Sequence, residues 1–278
     1  MHTDAVTTLA GETTLADMVA AGGIVVLSGA GCSTASGIPD YRGPNGAFTR
    51  GHKPMTYQQF LRDPLGRSRY WARGHVGWPR FSRAEPNPAH RALAELERRG
   101  LVSGVITQNV DGLHQAAGSL SVIDLHGRLD RVVCLNCGEV EGRDSVHERL
   151  TQANPHLTVV SETINPDGDT DIPDGLLARF TMVTCLACGG DLKPDVVYFG
   201  ENVPSDRVEQ AYAWVDASSG LLVAGSSLTV YSGRRFLMHA HKMGKPIAIV
   251  NEGPTRGEEL ATIRIDGDVC EILTALIA

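Results

Sequence analysis

Residues 107–114 read Thr107, Gln108, Asn109, Val110, Asp111, Gly112, Leu113 and His114, and Leu125, His126 and Gly127 follow. Amides, a carboxylate and imidazoles thus crowd the end of an apolar run, residues 101–106. In an open α/β sheet that is where a strand hands its side chains to a ligand crevice. Imidazole ionises near neutrality, so a histidine in such company can move a proton. His126 is the stronger candidate. His114 falls at the expected opening of a helix and reads as structural.

A second cluster lies upstream. Gly29, Ala30, Gly31, Cys32 and Ser33 end an apolar strand, and Gly37, Ile38, Pro39, Asp40, Tyr41 and Arg42 follow. Glycines after a strand let backbone N–H groups approach a pyrophosphate, with a helix N-terminus behind them. The usual dinucleotide fingerprint wants another glycine where Thr34 stands. It also wants an acidic residue about 20 positions on, where Gly51, His52 and Lys53 stand. The pattern therefore departs from that of a standard dehydrogenase. Cys32 reads as packing, not as a nucleophile. Further on, Gly225, Ser226 and Ser227 close one apolar run, and Asn251, Glu252 and Gly253 close the next.

Cys134-Leu135-Asn136-Cys137-Gly138 and Cys185-Leu186-Ala187-Cys188-Gly189 repeat one knuckle across an interval of 47 residues. Four thiolates hold Zn²⁺ tetrahedrally, and the glycine after each pair lets the loop turn tightly. Redox Cys-x-x-Cys pairs do not normally come duplicated. Four protein ligands close the site, so this zinc is expected to be structural. The interval exceeds the ~15–20 residues of common paired knuckles.

These motifs need elements to position them. Continuous apolar runs at residues 23–28, 102–107, 122–125, 196–199, 221–224 and 247–250 suit parallel strands buried on both faces. Helical patterns at 88–99, 205–217 and 232–243 alternate with them. The expected fold is α/β, an open, doubly wound, Rossmann-like parallel sheet. Residues 1–42, 88–127 and 193–278 would build it. Residues 43–87 and 128–192 break the rhythm and would form a smaller domain, part helical and part zinc module.

Composition bounds the partners. The chain has 278 residues, 42% hydrophobic and 21% charged, with a net charge of −7. That balance disfavours nonspecific binding to nucleic acid, which depends on neutralising phosphates. No apolar run approaches the ~20 residues that span a bilayer. The first basic side chain beyond His2 is Arg42, so neither a secretory signal nor a presequence is expected. Paired cysteines fit metal in a reducing compartment, and a bacterial-type cytoplasm is the expected location.

Taken together, the motifs resemble those of the sirtuins, NAD-dependent protein deacylases, over about residues 22–273. The resemblance implies NAD as co-substrate and an acyl-lysine protein as partner. The products would be free lysine, nicotinamide and an acylated ADP-ribose. It implies that Gly29, Ala30, Gly31, Ser33, Tyr41 and Arg42 hold the cofactor, with Asp40 at the carboxamide. Gln108 would bind ribose, Asn109 would organise ribose and water, Asp111 would hold the nicotinamide pocket, and Val110 would also contact the cofactor. His126 would be the general base on a ribose hydroxyl. Gly225, Ser226, Ser227, Asn251, Glu252, Gly253 and Cys270 would take the ribose, phosphate and adenine side. Val196, Val197, Tyr198, Phe199 and Gly200 match the strand to whose edge an extended peptide adds through backbone hydrogen bonds.

Tyr70 and Arg73 have the Tyr-x-x-Arg spacing with which desuccinylating sirtuins grip an acidic acyl chain, and an arginine fork pairs a carboxylate well. Residues 70–79, the long interval between the knuckles and the run 165–169 resemble class II sirtuins. That is the branch of the mitochondrial enzyme associated with lipoamide and branched dicarboxyl acyl removal and with ADP-ribosyl transfer. The interval would line a wider acyl pocket. Asp167, Asp169 and Asp171 read as a solvated turn. Two other readings share the site: a protein mono-ADP-ribosyltransferase, and a non-catalytic sensor of NAD or acyl-lysine. Oligomeric state is not legible.

Overall fold

The computed structural model describes residues 14–44, 46–159, 161 and 164–278. Its strands, in chain order, are β1 (Ile24–Ser28), β2 (Val102–Thr107), β3 (Val122–Asp124), β4 (Gly127–Cys134), β5 (Val140–Gly142), β6 (Leu192–Val196), β7 (Leu221–Ala224), β8 (Ile247–Val250) and β9 (Ile263–Ile265). The helices are α1 (Leu15–Ala20), α2 (Tyr57–Arg62), α3 (Pro64–Phe81), α4 (Pro88–Arg98), α5 (Leu113–Ala116), α6 (Arg143–Ala153), α7 (Asp174–Leu177), α8 (Ser205–Ala217), α9 (Tyr231–Lys242) and α10 (Val269–Ala275).

Six strands form one parallel sheet in the order β3-β2-β1-β7-β8-β9. Every residue of β1, β7 and β8 is buried, as their unbroken apolar runs require. One face packs against α1, α4 and α10 through Leu15, Leu93, Leu96 and Leu273. The other packs against α8 and α9 through Val215, Phe236 and Leu237. The chain leaves β1 for β2 on one side and returns to β7 on the other. Strand order reverses there, and a ligand crevice opens at the strands' C-terminal ends.

Beside this sheet stands a three-stranded antiparallel one, β5-β4-β6. Its core joins Val132 and Leu192 to Phe60, Tyr70, Trp71 and Trp78 of the α2–α3 pair. Trp71 donates its indole N–H to the Leu192 carbonyl (3.0 Å) and Trp78 to Asp144 (2.7 Å), fastening α3 to β6 and α6. The run at 196–199, expected in the large sheet, is instead the end of β6 and the turn beyond it. Period alone cannot assign a strand to a sheet. Residues 263–265 take the sixth place in the large sheet. The small sheet also crosses the expected boundaries at 127/128 and 192/193, because β4 begins at Gly127 and β6 at Leu192.

Candidate active site

The large sheet's strand ends converge through glycine. A Cβ on Gly29 would stand 2.7 Å from Ser226 Cβ, and one on Gly31 would stand 2.9 Å from the Gly225 carbonyl oxygen. Gly225 has φ +60, and its own Cβ would meet Cys32 N at 2.4 Å. Gly31 N–H donates to Gly225 O (2.9 Å) across this contact. The two turns therefore close on each other with no side chains between them. Their backbone walls a cleft of about 810 Å³.

Polar side chains lock the walls. Gln108 donates to Ser28 O (3.2 Å) and to Ser226 Oγ (2.9 Å), tying the ends of β1, β2 and β7 together. Asn109 donates to Gly29 O and to Ser33 Oγ, both at 3.0 Å. Ser33 in turn donates to Asp111 (2.7 Å), whose other oxygen accepts Leu113 N–H (2.9 Å). Burial raises the Asp111 pKa, and these donors act against it. The loop from Asp40 to Phe48 folds on itself: Asp40 accepts Gly43 N–H (2.8 Å), and Tyr41 packs on Phe48 and Phe199. Arg42 lies over the Phe48 ring at 4.9 Å.

His126 stands at the centre. One ring nitrogen, Nδ1, is 2.8 Å from the Gln108 carbonyl, and the other, Nε2, is 2.8 Å from Ser232 Oγ. A carbonyl only accepts, so Nδ1 carries the proton and Nε2 is left with its lone pair toward the cleft. Burial pushes the imidazole down to about 4, so the ring is neutral at pH 7. The fold thus sets the tautomer and leaves one nitrogen able to accept a proton. His114, by contrast, is buried against Ser28 (2.8 Å) and away from the cleft, in keeping with a structural role.

The cleft wall includes the glycine turn at Gly29, Ala30, Gly31 and Ser33, the loop at Asp40, Tyr41 and Arg42, and the run Gln108, Asn109, Val110 and Asp111. His126, Val197, Tyr198, Phe199 and Gly200 join it, as do Gly225, Ser226, Ser227, Asn251, Glu252 and Gly253. Four expected residues are elsewhere. Val196 points into the small-domain core. Cys270 packs behind the large sheet beside α4. Tyr70 is buried against Phe60 and Tyr198.

Arg73 is spent on another partner. It pairs with Asp169 (3.0 Å) and Asp171 (2.7 Å) of the interval between the knuckles. Asp169 is buried and also accepts from Asn165 (2.7 Å), so this run is no solvated turn. The same run brings Pro166 into the cleft wall. Sequence reasoning also missed the stretch from Leu228 to Ser232, with Leu228 at a positive φ of 47. Its one available signal was its position directly after Gly225, Ser226 and Ser227.

The cysteines form a separate site. Cys134 and Cys188 sulfurs lie 3.5 Å apart, Cys137 and Cys185 3.8 Å, and all four ligand atoms fall within 4.8 Å of one another. Tetrahedral Zn²⁺ with bonds near 2.3 Å sets its sulfurs about 3.8 Å apart. Each knuckle closes alike: Gly138 N–H donates to Cys134 O, and Gly189 N–H to Cys185 O. Both glycines take the positive φ that the turn needs. The four thiolates suit one structural zinc.

Comparison with known proteins agrees with this geometry. The family model described as the Sir2 family matches residues 29–232. NAD-dependent protein deacetylase 1 of Streptomyces coelicolor is 57% identical over 251 residues, spanning 90% of this chain and 84% of that protein. NAD-dependent protein deacetylase 1 of Mycobacterium avium is 54% identical over 258 residues, 91% of this chain and 90% of that protein. A solved Sir2 structure with a p53 peptide and NAD⁺ superposes with a TM-score of 0.74 at 32% identity, covering 94% and 95% of the two chains. Another, bound to a propionylated peptide, gives 0.72 at 31%, covering 94% of each.

Proposed function

The chain belongs to the Sir2 family and is a sirtuin-type NAD-dependent enzyme, and on that premise we propose that it removes acyl groups from lysine side chains of extended protein segments, with His126 as general base. NAD would supply a ribose carbon that exchanges nicotinamide for the acyl oxygen and a ribose hydroxyl that then takes the acyl group. The wall fits such a ligand: the glycine turns leave backbone where a Cβ would intrude, and strand-end amides line the same cleft. Gln108, Asn109, Asp111 and Asp40 would hold its nicotinamide half, and the turns at Gly225 and Asn251 its other half.

The observation that carries the reading is the His126 tautomer. With Nδ1 given to a carbonyl, Nε2 is free to take a proton. In the free cleft it meets the Ser232 hydroxyl; in turnover it would take the proton of a sugar hydroxyl. Asn109 and Asp111 share Ser33, so their positions are coupled to the turn that meets the cofactor. The peptide would run along residues 197–200. Lys193 braces that turn by donating to Val196 O (2.6 Å) and pairing with Glu201 (3.1 Å).

Class II character is part of the proposal. Its support is the interval between the knuckles, which places Pro166 at the cleft, where it would shape the acyl pocket. Mass spectrometry of the protein with NAD and lysine peptides bearing acetyl, succinyl, glutaryl, hydroxymethylglutaryl and lipoyl groups tests both parts. Nicotinamide release with loss of one acyl mass is expected, with turnover of the bulkier acyl chains alongside acetyl. Release of nicotinamide with every acyl group retained would overturn deacylation. Turnover of acetyl alone would remove the class II reading.

A further inference from the structure

The start of α9 brings into the cleft wall three side chains that no sequence motif marked: Tyr231, Ser232 and Arg235. Ser232 fixes where they stand, because its Oγ lies 2.8 Å from His126 Nε2. Gly233 permits that approach: a Cβ there would stand 2.3 Å from Gln108 Oε1. Residues three apart on a helix share a face, so Arg235 lies along the face that Ser232 turns to the base.

Arg234 and Arg235 adjoin in sequence and differ in use. Arg234 donates to Leu228 O (3.3 Å) and Thr229 O (3.2 Å) and so braces the stretch ahead of α9. Arg235 Nε is buried with no hydrogen-bond partner. Among the described residues no carboxylate pairs with Arg235, whereas Arg67, Arg149 and Arg264 each hold one. Its guanidinium rests over the Tyr231 ring at 5.1 Å, which orients the cation without neutralising it. Glu201, an acid in the same wall, is already held by Lys193 (3.1 Å). A buried donor left unmatched calls for an explanation, and in a cleft wall a ligand supplies one.

The chemistry of that ligand follows from the fork. A guanidinium matches a carboxylate with two parallel N–H···O bonds. The phosphates of a dinucleotide suit the bare backbone of the turns at Gly29 and Gly225. Arg235 stands instead on the His126 side, in a wall shared with Gly200, Asn202, Val203 and Val230, beside the turn along which the peptide would run. Tyr231 is 55% exposed and offers its ring to the alkyl part of an acidic side chain. Other arginines are committed: Arg42 lies over Phe48, and Arg73 is paired with Asp169 and Asp171.

We propose that Arg235 is a specificity-determining residue that binds a carboxylate of the acylated substrate, an inference that rests on the deacylase reading. The carboxylate is either the far end of a dicarboxyl acyl chain or an Asp or Glu beside the modified lysine. Its docking would also act on the base. Burial is the main cause that lowers the His126 pKa, and Arg207 and Arg235 lower it further. A carboxylate on Arg235 offsets that last contribution, so the base strengthens as an acidic substrate arrives.

The test uses one peptide sequence in three forms: acetyl-lysine with neutral flanks, acetyl-lysine with flanking Asp or Glu, and glutaryl-lysine with neutral flanks. Turnover at saturating NAD, NAD affinity and binding of the labelled peptides are read for the wild type, Arg235→Ala and Arg235→Lys. The wild type should favour at least one acidic form over the neutral one. In Arg235→Ala that preference in kcat/KM should fall about tenfold, the worth of a charged hydrogen bond, and mainly through KM. Arg235→Lys should recover part of it as a point charge. A fall confined to glutaryl-lysine places the carboxylate on the acyl chain, and one confined to the Asp or Glu peptide places it on the flank. Equal losses on all three forms overturn the proposal, as does a loss of NAD affinity in place of peptide affinity. If the wild type turns over no peptide, the deacylase reading fails. Peptide binding then still decides for Arg235: an affinity for acidic forms that Arg235→Ala leaves unchanged overturns its role.

Discussion

His126 is set by two bonds, one to each ring nitrogen, and its place in the fold determines what it can do. Burial lowers its pKa from the ordinary 6.5 to about 4. A depressed histidine keeps its lone pair down to that lower value, so the base form survives mild acid. The acid limb of kcat/KM assigned to this group should therefore fall below pH 5 and not near 6.5. A pH profile checks this, and a limb centred at 6.5 would mean that the free cleft is wetter than the structure has it. His126→Ala should lower turnover by about 10²–10⁴-fold, the usual contribution of a positioned base. NAD binding should change little, because the backbone of the glycine turns is untouched. Full activity in that variant would give the base role to another group. The legible part of this site was the set Gln108, Asn109, Asp111 and His126. Ser232 was not legible, because 106 residues separate it from His126 and only the fold closes that interval.

Among the elements, α3 departs furthest from expectation. Its Tyr-x-x-Arg spacing is real, since residues three apart share a helix face. On that face Arg73 meets the interval between the knuckles and Tyr70 packs on Phe60 and Tyr198, and neither lines the cleft. Gly77 permits the contact: a Cβ there would stand 2.3 Å from the Gly168 carbonyl oxygen. His52 meets Asp167 at 3.3 Å from the other side. Asp169 is raised to about 7, first by burial and then by Asp167, and Arg73 opposes both. Removing Arg73 leaves a buried carboxyl without its cation. Arg73→Ala should lower stability by about 1–3 kcal/mol, less than for a fully buried pair because the arginine is partly exposed. Turnover of acetyl and of dicarboxyl acyl peptides should change together. Denaturant unfolding and paired kinetics check this, and a selective loss on acidic acyl chains would return Arg73 to the substrate.

The described residues form two sheets with a cleft beside their junction, and each sheet has its own core. The zinc site lies at the ends of β4 and β6, where Cys134 pairs with Leu192. Metal binding and local folding are coupled in such modules. Cys134→Ser should release the zinc and unfold the small domain at lower temperature than the large sheet, splitting one transition into two. Metal analysis with tryptophan fluorescence follows this, since Trp71 and Trp78 are buried in the small-domain core. One zinc per chain retained after the substitution would refute the ligand set. Among the described residues no helix is long and apolar enough to cross a membrane.

By itself the sequence determined the parallel sheet, the strand-end motifs and the cysteine quartet. Each is a local pattern whose physics acts over a few residues: an apolar run must be buried, a glycine after a strand admits backbone, and a Cys-x-x-Cys knuckle presents two sulfurs to one ion. Tertiary structure alone decided which sheet took residues 192–196, that Arg73 would face Asp169, that Cys270 would turn from the cleft, and that Ser232 would reach His126. Those outcomes depend on which surfaces meet after the chain has closed loops of tens to more than a hundred residues, and no spacing along the chain records that choice.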